Sequence, residues 1–224
     1  MARAQAKTNW FAIGISIAVV VVLVALGGVV VWLNNEASSP GTAPKSAIID
    51  TESGAITFGS GDRSIDTYVD FICPACNSFE QTFGADLQKA AADDKITLNV
   101  HPIAILDHLS QGTDYSSRSA AAMYCVAESA PDKAMDYFNA LFANQPAENS
   151  PGLTDEQLTE IATQVGADKA ASCIADGTYK KFGAAQAKAH EITGTPTVDI
   201  DGKRLTGTMQ ETYTAVDAFI KEVG

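Results

Sequence analysis

The sequence predicts an α/β domain that carries a helical insertion and is preceded by one N-terminal transmembrane helix. Three observations predict it: an uncharged apolar run over residues 11 to 33, a Cys73-Pro74-Ala75-Cys76 motif closing the apolar run Tyr68 to Ile72, and a Gly194-Thr195-Pro196 turn feeding a β-branched strand. A long, mainly helical stretch lies between the two motifs. From Ile48 onward the chain has 177 residues, enough for one domain with a substantial core, and no internal repeat divides it.

The N-terminal run is expected to span a membrane. As a helix it would extend about 34 Å, against a hydrocarbon core of about 30 Å. A cleaved signal peptide is the competing reading, but its apolar region is normally about 7 to 15 residues long, and no convincing small-residue cleavage pattern follows directly after Leu33. Arg3 and Lys7 precede the span and Asn34-Asn35-Glu36 follow it, so residues 1 to 10 are expected in the cytoplasm and the remainder outside, with Trp10 and Trp32 as interfacial anchors. Residues 34 to 47, rich in Ser, Pro, Gly, Thr and Ala, read as a flexible tether with a random-coil reach of roughly 20 Å. Residues 48 to 224 then form the domain. Beyond the anchor 13 basic residues stand against 27 acidic ones, and that net of −14 argues against nucleic acid and anionic lipid surfaces as partners.

Strands are expected near 55 to 58 and 64 to 72, followed by a helix from about 75 to 92 and a strand near 96 to 103. The two thiols of the Cys-Pro-Ala-Cys motif fall at the junction of the second strand and the helix. A helix N-terminus presents unpaired N–H groups and the positive end of the macrodipole, so a Cys73 thiolate is favoured and its pKa should fall below about 8.5. Pro74 suits the first turn, and Phe79, Phe83 and Leu87 recur as the buried stripe of an amphipathic helix. Cys76, one turn in, is placed to resolve a mixed disulfide on Cys73. Half of a zinc site and a structural cystine are the bland alternatives. No second Cys-x-x-Cys exists, and His101, His108 and His190 lack ligand spacing to any cysteine, so no metal is assigned.

Helices are expected to fill an insertion at about 107 to 191. Thr154-Asp155-Glu156-Gln157 reads as a capping box ahead of Leu158, Ile161, Ala162 and Val165, with Gly166 as the stop and Asp168 capping the next helix. The chain closes with strands around 197 to 206, turned at Asp201-Gly202, and a last helix near 210 to 222 showing Tyr213, Val216, Phe219 and Ile220 on one side.

Asp70-Phe71-Ile72-Cys73-Pro74-Ala75-Cys76 near the start of the domain and Gly194-Thr195-Pro196-Thr197 near its end, in this order, resemble the thioredoxin superfamily, and within it the DsbA-like thiol:disulfide oxidoreductases of actinobacterial, membrane-anchored type. The resemblance covers nearly the whole extracytoplasmic part and implies a thioredoxin-like fold. It implies Cys73 as nucleophile, Cys76 as resolving thiol, and Thr195 with a cis Pro196 as the loop that docks a substrate segment. Two departures bear on mechanism. Many relatives have histidine before the second cysteine, where this chain has Ala75, so thiolate stabilisation should lean on helix-end amides. The potential should then fall between those of DsbA, about −120 mV, and thioredoxin, about −270 mV. The family's buried carboxylate six residues before the first cysteine is replaced by Thr67. Asp66 and Asp70 share the opposite face of the strand and read as solvated or polar-edge residues, with Asp70 as a possible proton acceptor through water.

In an oxidising compartment the two remaining cysteines, Cys125 and Cys173, most simply pair in a structural disulfide; two free buried thiols or a relay to the active pair are the alternatives. A histidine satisfied at a strand end is the reading for His101. The function expected is that of a membrane-tethered, monomeric protein-disulfide oxidase acting on reduced exported proteins, with no bound cofactor. By resemblance it is reoxidised by a quinone-linked membrane partner of the DsbB or VKOR type. A reductase or isomerase is the second reading, although the usual isomerases add a dimerisation domain for which this chain has no room. A thiol-independent chaperone or binding module is the third, and it requires that Cys73→Ser leave function intact.

Overall fold

The computed structural model describes residue 10, residues 19–31 and residues 40–224, which fall into two compact units, Met1–Ser39 and Pro40–Gly224. In the first unit residues 19–31 form a helix, α1, whose large apolar side chains, Val19 to Val24, Leu26 and Val29 to Val31, are exposed. The rest of the expected span at 11 to 33 lies outside the described residues. Among the described residues no helix is long and apolar enough to cross a membrane.

The second unit is built on a five-stranded sheet in the order β1-β3-β2-β4-β5. Its strands are β1 (Ile56–Phe58), β2 (Arg63–Val69), β3 (Ile96–Pro102), β4 (Thr197–Ile200) and β5 (Lys203–Arg204). β2 runs parallel to β3 and antiparallel to β4, while the outer pairs are antiparallel. The sheet's centre is therefore formed by segments on either side of the helical stretch, and this brings residue 197 beside Tyr68. The registers follow the apolar alternation: Ile65, Val69, Leu98, Val100 and Val198 are all buried.

After β2 the chain turns at Asp70 to Cys73, with the Cys73 N–H donating to the Asp70 carbonyl at 3.0 Å. The strand thus ends three residues before the expected 72, because the turn must lift Cys73 to the helix start. The following helix runs as α2 (Pro74–Phe79), a π-helical turn at Glu80–Gly84, and α3 (Ala85–Ala92). Phe79, Phe83 and Leu87 are buried along it as the stripe predicts. α3 packs on β1, β3 and the C-terminal helix α9 (Met209–Val223). That helix opens on a capping box, Thr208 with Glu211, and buries Val216 and Phe219.

The insertion comprises α4 (Tyr115–Ser129), α5 (Ala134–Ala143), α6 (Asp155–Gln164), α7 (Ala171–Ala175) and α8 (Phe182–Ala189), with α4 contacting β3 and the other four helices. Thr154 and Gln157 form the expected capping box, and Gly166 follows at φ +83°. Asp168 does not cap a helix: it opens a 3-10 turn, Asp168–Ala170, and α7 begins after it without a side-chain cap. The part of the expected tether from residue 40 to 47 is packed on the domain rather than free. Pro44 is buried, and the Lys45 N–H donates to Glu128 Oε1 at 2.9 Å. The remainder of the tether lies outside the described residues.

Candidate active site

Cys73 is the N-cap residue of α2, with extended backbone at φ −74° and ψ 115°, and it carries no side-chain cap. Its carbonyl accepts the N–H groups of Cys76 at 3.1 Å and Asn77 at 3.3 Å, which begins the helix. Pro74 follows at the first helical position, where its missing N–H leaves no bond unmade. Both thiols are free. Cys76 is fully buried and Cys73 is 6% exposed, so an incoming sulfur reaches Cys73 first.

The loop before β4 supplies the other wall. The Thr195–Pro196 peptide bond is cis, and the Cys73 thiol donates to the Thr195 carbonyl at 3.3 Å. Thr195 Oγ1 is buried and has no hydrogen-bond partner among the described residues. The structure thus brings Cys73, Cys76, Thr195 and Pro196 together from segments more than a hundred residues apart.

These contacts separate the two thiols electrostatically. A hydrogen bond from the Cys76 thiol is the largest influence lowering the Cys73 pKa; burial opposes it, and the Cys76 and Ala75 N–H groups add to it. The outcome is about 6. The helix-end amides are therefore secondary to the Cys76 thiol, a correction to the expectation from sequence. Burial, and next the bond given to Cys73 together with its negative charge, pushes Cys76 far up, against a smaller opposing contribution from the Asp70 N–H. One thiol is an anion at neutral pH while its neighbour keeps its proton. Alkylation of Cys73 by iodoacetamide, followed against pH, is expected to be half-maximal near pH 6. The rate should fall below that pH as the thiolate is protonated and stay flat above it; a midpoint at the ordinary thiol value of about 8.5 contradicts the geometry.

Asp70 is not solvated, contrary to the strand-alternation reading. It is fully buried, and its carboxylate accepts the N–H groups of Ile72 at 3.2 Å, Ile105 at 3.0 Å and Leu106 at 3.1 Å. Burial raises its pKa, opposed by Ser116 and these amides. It fastens the turn before Cys73 to the segment after β3. Thr67, in the place of the family's carboxylate, is buried with Oγ1 unpartnered among the described residues. Asp66 pairs with His101 at 2.9 Å, and the other His101 nitrogen meets the Ser53 carbonyl at 3.2 Å while the ring stacks on Tyr68. His101 is thus committed to a polar cluster with Asp66, Ser53 and Tyr68.

Three residues near the pair carry no signal in the sequence. Glu80, one turn after Cys76, has its carboxyl pushed up by burial to about 8. Asn77 and Gln145 bind each other, and Gln145 also binds the active-site backbone at Cys73. A π-turn could have marked Glu80, but no residue pattern announces such a turn. Away from this site, Cys125 on α4 and Cys173 on α7 form a disulfide. No group of side chains among the described residues could hold a metal ion.

Residues 58–222 match the family described as Thioredoxin. DsbA of Mycobacterium tuberculosis is similar in structure, with a TM-score of 0.66 and 31% identity over 75% of this chain and 92% of that one. The oxidoreductase DsbG of the same organism has a TM-score of 0.65 and 32% identity, covering 84% of this chain and 90% of its own. Among curated sequences, the serine/threonine-protein kinase PknE of M. tuberculosis is 37% identical over 137 residues. That match takes in 59% of this chain, which spans only 24% of the kinase. By its family match, its dithiol, its cis-proline loop and its likeness to these oxidoreductases, the chain belongs to the thioredoxin family and, within it, to the DsbA-like thiol:disulfide oxidoreductases.

Proposed function

We propose that this protein is a membrane-tethered oxidase that introduces disulfides into exported proteins, with Cys73 as the reacting thiol and Cys76 as the resolving one. The observation that carries the reading is the placement of Cys73 at the N-cap of α2 against the cis Thr195–Pro196 loop, with Cys76 fully buried behind it, an arrangement that favours the Cys73 thiolate and keeps Cys76 protonated. In the oxidised enzyme a substrate thiolate attacks Cys73 Sγ. The Cys73–Cys76 bond breaks, its electron pair leaves with Cys76, and Cys76 takes up a proton. A second substrate thiolate then attacks the substrate sulfur of the mixed disulfide and expels Cys73 as a thiolate, a good leaving group because of its low pKa. The substrate loses two electrons and the enzyme gains them as a dithiol. Thr195 and Pro196 dock the substrate segment beside Cys73.

The reduced enzyme hands its electrons to a quinone-linked membrane oxidase of the DsbB or VKOR type, and needs no cofactor of its own. The exposed apolar surface of residues 19–31 and the uncharged run around them support the anchor. Oxidised full-length chain, mixed with a reduced unfolded protein, is expected to convert one substrate dithiol per molecule and to remain with membranes after alkaline extraction. Failure to oxidise the substrate, with ready reduction of disulfide-bonded insulin instead, contradicts the oxidase reading. Release into the soluble fraction contradicts the anchor.

A further inference from the structure

We propose that Gln145, in the loop leaving α5, is a positioning residue that sets the reactivity of Cys73, so that the helical insertion tunes the redox centre. The inference rests on Cys73 being the reacting thiol. One amide group of Gln145 bridges both sides of the turn: Nε2 donates to the Cys73 carbonyl at 2.9 Å and to the Phe71 carbonyl at 3.2 Å. Its Oε1 accepts from Asn77 Nδ2 at 3.1 Å, and the same Nδ2 lies 3.4 Å from the Phe142 carbonyl. The orientation of the amide is fixed by these partners, since the reverse would set Oε1 against two carbonyl oxygens.

The clamp is held rigidly from the insertion side. The Gln145 N–H donates to the Phe142 carbonyl at 3.2 Å. The Phe142 ring lies 5.1 Å from Phe71, which also meets Phe138 edge-on at 5.9 Å. Phe71 is fully buried by these contacts. On the helix side, the carbonyl that Gln145 grips is the one that accepts the Cys76 and Asn77 N–H groups and so starts α2. The Cys76 and Ala75 N–H groups that favour the Cys73 thiolate belong to that same turn. Gln145 therefore fixes the peptide planes that aim these donors at the sulfur without touching the sulfur itself.

The test uses the full 224-residue chain in detergent. Gln145→Met keeps the side chain's length and removes both donors; Gln145→Glu keeps the acceptor for Asn77 and sets a carboxylate where the donors were. With Met, the Cys73 pKa read from thiolate absorbance is expected to rise by about half a unit, the scale of one weakened hydrogen bond. The equilibrium with glutathione should move about threefold toward the enzyme disulfide, roughly 15 mV more reducing. With Glu the rise should be larger. A residue that only braces the fold would lower the melting temperature and leave titration and equilibrium unchanged, and that result in either folded variant overturns the inference. If Cys73 of the unaltered chain titrates as an ordinary thiol, the reading of the site fails first, and the inference with it.

Discussion

Cys73→Ser is expected to abolish disulfide exchange outright, while Cys76→Ser is expected to stop it halfway. A serine hydroxyl forms no disulfide, and Cys76, fully buried, offers an incoming sulfur no alternative point of attack. In Cys76→Ser the Cys73 thiolate can still attack a disulfide-bonded substrate, but no thiol remains to release it. Covalent complexes sensitive to reductant should then accumulate, visible on non-reducing gels. Retention of full function by Cys73→Ser would remove both enzyme readings and leave the chaperone or binding-module reading.

The second large effect concerns stability. Cys125 and Cys173 are 48 positions apart, and their disulfide ties α7 to α4. A helix the length of α7, Ala171–Ala175, cannot hold itself in water. Opening this loop with paired Cys125→Ala and Cys173→Ala substitutions is expected to destabilise the domain by about 4 kcal/mol in the chain-entropy treatment. The midpoint of denaturant unfolding reads the loss directly. Exchange at Cys73 should survive in the fraction that remains folded, because the bond joins α4 to α7, neither of which carries Cys73, Cys76, Thr195 or Pro196.

Much of this fold was legible because its signals are local. The Cys-Pro-Ala-Cys motif after an apolar run marks a strand-to-helix junction, the stripe of Phe79, Phe83 and Leu87 marks the helix face, and Thr154 with Gln157 marks a cap. What escaped depends on distant contacts. Alternation placed Asp70 on an open strand face, but the strand has ended there and the backbone of Ile105 and Leu106 wraps its carboxylate. Residues 40 to 47 have a linker's composition, yet Pro44 is buried and Lys45 meets Glu128 on α4. Asp168 stands where a cap would, but the chain first makes a 3-10 turn. Gln145 is one glutamine in a polar loop, and only folding sets it against Cys73. The capping box at Thr208 and Glu211, by contrast, is a local signal of the same kind as that at Thr154.

The most direct measurement is the equilibrium reduction potential of Cys73/Cys76 against glutathione, with Cys125 and Cys173 tracked separately by alkylation. A value between about −270 and −120 mV is expected, well above the thioredoxin end, with Cys125–Cys173 oxidised throughout. A value near −270 mV would contradict the oxidase and make this protein a remover of disulfides.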